Sequence, residues 1–124
     1  CTTRKPVLIE NNLFYRVGGR VLSVEDDCQF WFESGQTKKV VFRNNEVVGC
    51  GYGAGAKDTP VEKRPPLFFV EPKGVSPDYD GVIHGTVRIE HNRIETEKDR
   101  PTAGIYSVKY TKKCVIKKNT VIRK

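Results

Sequence analysis

The sequence lacks several features that would point to a familiar class of protein. It contains no methionine, one tryptophan and two histidines in 124 residues. No apolar run approaches the roughly 20 residues that a membrane-spanning helix needs, so we expect no such helix. His84 and His91 fall on opposite faces of any continuous strand, which argues against a paired-histidine or metal site. Because the chain starts at Cys1 without an initiator methionine, we expect that a targeting peptide was removed before it.

The charge of the chain is concentrated at one end. There are 22 basic and 15 acidic residues, yet residues 109–124 contain seven basic residues and no acidic one. The rest of the chain therefore carries 15 charges of each sign and no net charge. A basic segment of this kind suits an acidic protein partner, an anionic surface or nucleic acid. The length and composition predict a single globular domain over residues 1–124.

The periodicity of the sequence is that of β-strands. Apolar and polar residues alternate in segments such as 28–33 and 83–90, and turn residues such as Gly18 and Gly19 separate these segments. Residues 91–100 have helical propensity, but a helix there would bury only Ile94. The expected strands lie near residues 6–10, 13–17, 20–25, 28–34, 38–43, 46–50, 67–71, 82–90, 104–113 and 115–122.

This pattern predicts an all-β fold. Turn residues that tolerate positive φ indicate antiparallel hairpins, so we expect an antiparallel sandwich or a small barrel. The same reasoning predicts a basic C-terminal hairpin over residues 109–124. A long Gly/Pro-rich middle loop is expected from about residue 51 to residue 66, and a second loop from 72 to 81. No internal repeat or separate linker is visible.

The four cysteines indicate export. The cysteines form no Cys-x-x-Cys pair and have no histidine near them in sequence, which argues against a zinc site. Two disulfides are therefore the natural interpretation, and the sequence leaves their pairing open. One alternative is that some are buried reduced thiols. Another is that the N-terminal cysteine carries lipid, since its flanking residues resemble the start of a mature bacterial lipoprotein. We therefore expect a secreted, periplasmic or cell-envelope location; the cysteines concerned are Cys1, Cys28, Cys50 and Cys114.

Catalytic chemistry has one weak candidate. His84, Arg88 and Glu90 share one face of a predicted strand, and an acid, a base and a cation are what cleavage of RNA through its 2′-hydroxyl requires. Residues 39–51 also resemble the strand-turn-strand of small secreted ribonucleases. The competing interpretation is an ordinary polar outer face. Asp78 and Asp80 suit a turn better than a glycosidase pair.

No cofactor is predicted. Glycines at every second position from 49 to 55 are followed by Lys57, but the spacing is not that of a phosphate-binding loop. The prolines at positions 60, 65 and 66 also prevent an ordinary helix behind those glycines.

Aromatic and basic residues provide the candidate contacts for a partner. Trp31 should project from its strand, either under a loop or as an interface anchor. The lysines near the C-terminus either meet a partner or keep an edge strand from pairing with another edge. The predicted binding residues are Trp31, Tyr52, Lys57, Tyr106, Tyr110, Lys112, Lys113, Lys117 and Lys118.

These observations lead to three hypotheses for function. The first is a small exported binding module without catalysis, which contacts a protein partner or an anionic surface through loops and a basic edge. The second is a secreted ribonuclease or ribonuclease-like protein that uses His84, Arg88 and Glu90. The third is a nucleic-acid-binding β-barrel. The sequence favours the first, and it leaves the oligomeric state open.

Overall fold

The computed structural model describes residues 5–25, 37–53, 59–71 and 84–124. These residues form eleven strands and two short 3₁₀ turns, Val61–Lys63 and Thr102–Gly104. The strands are β1 Val7–Glu10, β2 Leu13–Tyr15, β3 Leu22–Val24, β4 Lys39–Arg43, β5 Glu46–Val48, β6 Phe68–Val70, β7 His84–Glu90, β8 Arg93–Thr96, β9 Tyr106–Val108, β10 Thr111–Lys117 and β11 Thr120–Arg123.

All the described sheet pairing is parallel, and it joins strands that are far apart in sequence. The first sheet has the order β1-β4-β7-β10, the second β11-β8-β5-β2 and the third β3-β6-β9. The chain therefore contributes one strand to each of the three sheets in turn, and these three strands form one coil. The next coil then stacks on the previous one. Four coils result, of which the fourth contributes β10 and β11. This arrangement is a parallel β-helix, in which each coil buries its inner side against its neighbours.

The corner between the first and second sheets repeats in every coil. Two residues separate the strands there, and the first of the two has a positive φ. The four values are 59° at Asn11, 53° at Asn44, 57° at His91 and 53° at Lys118. Asparagine tolerates this left-handed region, whereas histidine and lysine adopt it less readily. The corner is therefore held by something other than the preference of its first residue.

A ladder of asparagines holds these corners. The backbone N–H of Asn12 donates to Asn45 Oδ1 at 2.9 Å, that of Asn45 to Asn92 Oδ1 at 2.9 Å, and that of Asn92 to Asn119 Oδ1 at 3.0 Å. Each side-chain amide from the second rung onward also donates to a carbonyl of the preceding coil, for example Asn92 Nδ2 to Phe42 O at 3.1 Å. The side chains thus satisfy buried backbone groups that the turn leaves unpaired.

The core consists of apolar columns that run through the coils. Alternation along each strand sends every second side chain inward. Parallel register then stacks the inward side chains of one coil on those of the next. Aromatic rings from three coils follow one another, with centroids 5.4 Å apart for Phe14 and Phe42, 5.0 Å for Phe42 and Phe68, and 5.5 Å for Phe68 and Tyr106. Phe42 is fully buried, whereas Ile116, its equivalent in the fourth coil, is 40% exposed.

The prediction of antiparallel hairpins is wrong. Asn44 and Asn45, which are typical of hairpin turns, do not reverse the chain into a hairpin here. They lead β4 of one sheet into β5 of another. Likewise residues 109–124 form no hairpin, since β10 pairs with β7 and β11 with β8. Residues 91–100, whose composition has helical propensity, contain β8 instead of a helix. The expected strand at 28–34 and the loop at 72–81 lie outside the described residues.

No helix among the described residues is long and apolar enough to cross a membrane.

The ladder makes a quantitative prediction about Asn92. This side chain is 2% exposed, and its Oδ1 accepts the backbone N–H of Asn45. Asn92→Ala leaves that N–H and the Phe42 carbonyl without these partners, at about 1 to 3 kcal/mol for each buried group. We expect the free energy of unfolding, measured by urea denaturation, to fall by about 3 kcal/mol.

Asn12→Ala is the matched control. Asn12 is an exposed residue on the first rung, and its backbone N–H remains in the variant to donate to Asn45 Oδ1. Water can replace the side-chain bond to Glu10 O, so the loss should stay below about 1 kcal/mol. Equal losses for the two variants would contradict the ladder.

Candidate functional site

A cleft of about 290 Å³ opens on the outer side of the second sheet. Parallel register aligns Tyr15 of β2, Val48 of β5 and Glu95 of β8 in one outward row. Val48 and Gly49 are small, so they leave a depression between the larger side chains of the neighbouring coils. We call this depression the Tyr15–Glu95 cleft; it is lined by Tyr15, Arg16, Val48, Gly49, Glu95, Thr96, Glu97 and Lys124.

The carboxylate of Glu95 is held between two cations. Lys124 Nζ lies 3.0 Å from Glu95 Oε1, and the Arg93 guanidinium lies 3.5 Å from Oε2. The hydrogen bond from Lys124 is the main reason that the pKa of Glu95 lies below its ordinary value; desolvation opposes it, and the charges of Lys124 and Arg93 assist. Glu95 is therefore ionised at neutral pH and can accept hydrogen bonds.

Glu97 also lines the cleft and belongs to an ion-paired clamp built around the buried Arg100 side chain. Its Oε2 accepts a hydrogen bond from Arg100 Nε at 2.9 Å, and Arg64 binds its other oxygen. The Arg100 side chain is fully buried and donates to four backbone carbonyls, those of Cys50, Gly51, Pro65 and Gly104. The clamp thereby ties the segment after β8 to the segments that follow β5 and precede β6.

The clamp needs close packing at Gly51. This residue has a φ of 71°, and a Cβ there would lie 2.6 Å from Leu67 Cδ2 and 3.1 Å from an Arg100 nitrogen. Only glycine meets both the backbone conformation and the limited space.

Burial raises the pKa of Glu97, but hydrogen bonds from Arg100, Thr96 and its own backbone outweigh it and bring the pKa to about 2. Acid–base catalysis by two carboxyl groups pairs an ionised carboxylate with a carboxylic acid whose pKa is raised. Glu95 and Glu97 both have lowered pKa values, so each suits binding or a role as an anion. Neither has the properties of a proton donor.

The predicted catalytic face is divided by the fold. Arg88 and Glu90 do lie together, with Arg88 Nη2 3.1 Å from Glu90 Oε2, and this hydrogen bond is the main cause of the lowered pKa of Glu90. His84, in contrast, is 1% exposed, and its Nδ1 accepts the backbone N–H of Thr37 at 3.3 Å. The three side chains therefore do not share an exposed face.

The predicted binding residues lie on different parts of the surface. Tyr52 is 39% exposed beside Gly18, Tyr106 stacks on Phe68 in the core, and Tyr110 forms the turn before β10. Lysines of the last coil are exposed, and Lys117 Nζ lies 3.7 Å from Glu90. None of these residues lines the Tyr15–Glu95 cleft. The lysines are Lys112, Lys113, Lys117 and Lys118.

Several predicted positions lie outside the described residues: Cys1, Cys28, Trp31, Lys57, Asp78 and Asp80. Cys50 is a buried free thiol and Cys114 an exposed one. Disulfides, export and lipid on the first cysteine stay predictions. Among the described residues, no group of three His, Cys, Asp or Glu side chains is arranged to hold a metal ion.

Strand alternation does not predict the cleft, although the sequence contains a signal for it. An apolar-x-apolar-x-x-Asn pattern occurs four times, ending at Asn12, Asn45, Asn92 and Asn119. Three residues after the first three of these asparagines come Tyr15, Val48 and Glu95. Aligning the chain on the asparagines therefore puts the cleft residues into one column. The unequal spacing of the repeats hides this alignment.

Comparison with known proteins gives related sequences of one kind. The chain is 30% identical over 122 residues, 98% of its length, to α-1,3-galactosidase A of Bacteroides fragilis. It is 29% identical over 102 residues to α-1,3-galactosidase A of Bacteroides thetaiotaomicron, and 42% identical over 50 residues to that of Akkermansia muciniphila. These matches cover 82% and 40% of this chain. No family model and no solved structure matches.

The relatives are much longer than this chain. It spans 18% of the Bacteroides fragilis protein, 15% of the Bacteroides thetaiotaomicron protein and 8% of the Akkermansia muciniphila protein. The similarity nevertheless relates the chain to glycosidases, and it overturns the hypothesis of a binding module without catalysis. A β-helix also replaces the barrel on which the nucleic-acid hypothesis rested.

The low pKa of Glu97 predicts how stability depends on pH. Its value of about 2 in the folded protein lies below the ordinary 4.5. The unfolded chain therefore binds more protons in this range, and stability is lost as the pH falls from about 4.5 towards 2. This carboxylate accounts for about 3 kcal/mol of that loss.

Glu97→Gln should make the acid dependence of the free energy of unfolding less steep, as measured by urea denaturation between pH 2 and 5. It should also lower stability at pH 7, because the buried Arg100 guanidinium loses its anionic partner. Glu46→Gln, an exposed position on β5, is the control and should keep the acid dependence of the parent. An unchanged slope in Glu97→Gln would contradict the assignment.

Proposed function

We propose that this chain is part of a glycoside hydrolase that releases α-1,3-linked galactose. The observation that carries the proposal is the similarity to proteins named α-1,3-galactosidase, which extends over 98% of the chain. Because it covers nearly every coil, the relation concerns the whole β-helical segment. In this proposal the segment supplies the framework and one part of the substrate-binding surface.

The carboxylates of the outer surface suit substrate binding and not proton donation. Glycoside hydrolysis uses two carboxyl groups, of which one is a proton donor with a raised pKa. The pKa values of Glu90, Glu95 and Glu97 are all lowered. None of these three is therefore the proton donor in our proposal, and Glu95 remains as an ionised group that contacts substrate.

The proposal is tested by sugar release. The full-length natural protein is incubated with galactose-α-1,3-galactose, and the α-1,4-linked isomer serves as the control for linkage. We expect free galactose from the first substrate and at least a tenfold lower kcat/KM for the second. Failure to cleave the α-1,3 linkage, or equal cleavage of both isomers, would contradict the proposal.

Glu95→Gln refines the same assay. A residue that contacts substrate as an anion but does not transfer the proton should affect KM more than kcat. Loss of kcat by several orders of magnitude with little change in KM would instead make Glu95 part of the acid–base machinery.

A further inference from the structure

The surface of the second sheet holds an aromatic side chain with no evident structural task. Tyr15 is 65% exposed, and it projects from β2 at one side of the Tyr15–Glu95 cleft. Adjacent parallel strands lie about 4.8 Å apart, so Tyr15 and Glu95, two strands apart, are separated by about 10 Å at the backbone. On the strand between them, the small side chain of Val48 occupies the matching position. This separation leaves room for one sugar ring that stands upright on the sheet, with one face towards the Tyr15 ring.

The charged residues that line the cleft are equal in number for the two signs: Arg16 and Lys124 are positive, and Glu95 and Glu97 are negative. Three further arginines, Arg64, Arg93 and Arg100, pair with these carboxylates but do not line the cleft. A site for phosphate or sulfate would carry a surplus of cations. A balanced set of donors and acceptors suits a neutral ligand that is rich in hydroxyl groups, because each hydroxyl both donates and accepts hydrogen bonds.

The backbone that carries the polar groups of the cleft is also held in register. Lys124 Nζ and Glu95 Oε1 are 3.0 Å apart, so one donor and one acceptor stand side by side. Neighbouring hydroxyls on a sugar ring present the complementary pair. Backbone bonds keep the elements in register, since Gly49 N–H donates to Glu95 O at 3.1 Å and Lys124 N–H to Thr96 O at 3.0 Å. A backbone held in this way loses little entropy when a ligand binds.

We infer that the Tyr15–Glu95 cleft binds one galactopyranose ring, with the apolar face of the sugar on the Tyr15 ring and its hydroxyls on Glu95 and Lys124. The identity of the sugar rests on the proposed function; the class of ligand rests on the geometry and charge of the cleft. Tyr15 acts as a binding residue here, because it contacts the sugar without contributing to bond cleavage.

Titration followed by ¹H–¹⁵N spectra tests the inference on the 124-residue chain. Galactose-α-1,3-galactose should shift the amide signals of Tyr15, Val48, Gly49 and Glu95, and Tyr15→Ala should weaken binding about tenfold. Tyr15→Phe keeps the ring and should bind within about twofold of the parent. Leu13→Ala is the matched control, because Leu13 lies on the same face of β2, is 63% exposed and does not line the cleft.

Each outcome decides the question. Shifts confined to other residues, or equal binding by Tyr15→Ala and Leu13→Ala, would overturn the site. Competition by millimolar sulfate that displaces the disaccharide would overturn the assignment of a neutral ligand. If the full-length protein cleaves the α-1,3 linkage while Tyr15→Ala leaves its KM unchanged, the assignment of the cleft as a sugar site is contradicted and the proposed function stands. Binding at the cleft without any cleavage would support the site and contradict the proposed function.

Discussion

The asparagine ladder is the interaction on which the rest of the structure depends. At the first three corners between the first and second sheets, a backbone N–H would lose its partner if the next asparagine were absent. Because the ladder joins positions 33, 47 and 27 residues apart, it fixes which residue of one coil stands above which residue of the next. A slip by one residue would turn every core side chain of that coil outward. The ladder therefore keeps the apolar columns inside and the row of Tyr15, Val48 and Glu95 outside.

The outward row illustrates this dependence. Tyr15, Val48 and Glu95 are distant in sequence, and each occupies an ordinary position on a short strand. Stacking of the coils brings them together, so that Tyr15 and Glu95 form the two sides of the cleft and Val48 its base. The Glu97–Arg100 clamp then holds the segment that follows β8, and so keeps the part of the cleft lined by Glu97 in place. Cleft shape is thus a consequence of coil register, and substitutions in the ladder should alter both.

The strands themselves were largely predictable from sequence, whereas their pairing was not. Alternation located β4 and β7, because period-two patterning depends only on having one buried face. It does not reveal whether the partner strand is parallel. Asn44 and Asn45 are typical of hairpin turns, and the same tolerance of positive φ serves a β-helix corner equally well. His84 was expected outside for a similar reason: alternation counts residues, but burial at the start of β7 is set by its neighbours. The repeat of asparagines was the available signal, and its irregular spacing concealed it.

The most direct test of this account is a measurement of the ladder itself in solution. Scalar couplings across hydrogen bonds should link the backbone nitrogen of Asn45 to the side-chain carbonyl carbon of Asn92, and that of Asn92 to the side-chain carbonyl carbon of Asn119. Both couplings are expected, since the donor–acceptor distances are 2.9 and 3.0 Å. Their absence, together with contacts that pair β4 with β5 as an antiparallel hairpin, would contradict the β-helix and with it the cleft.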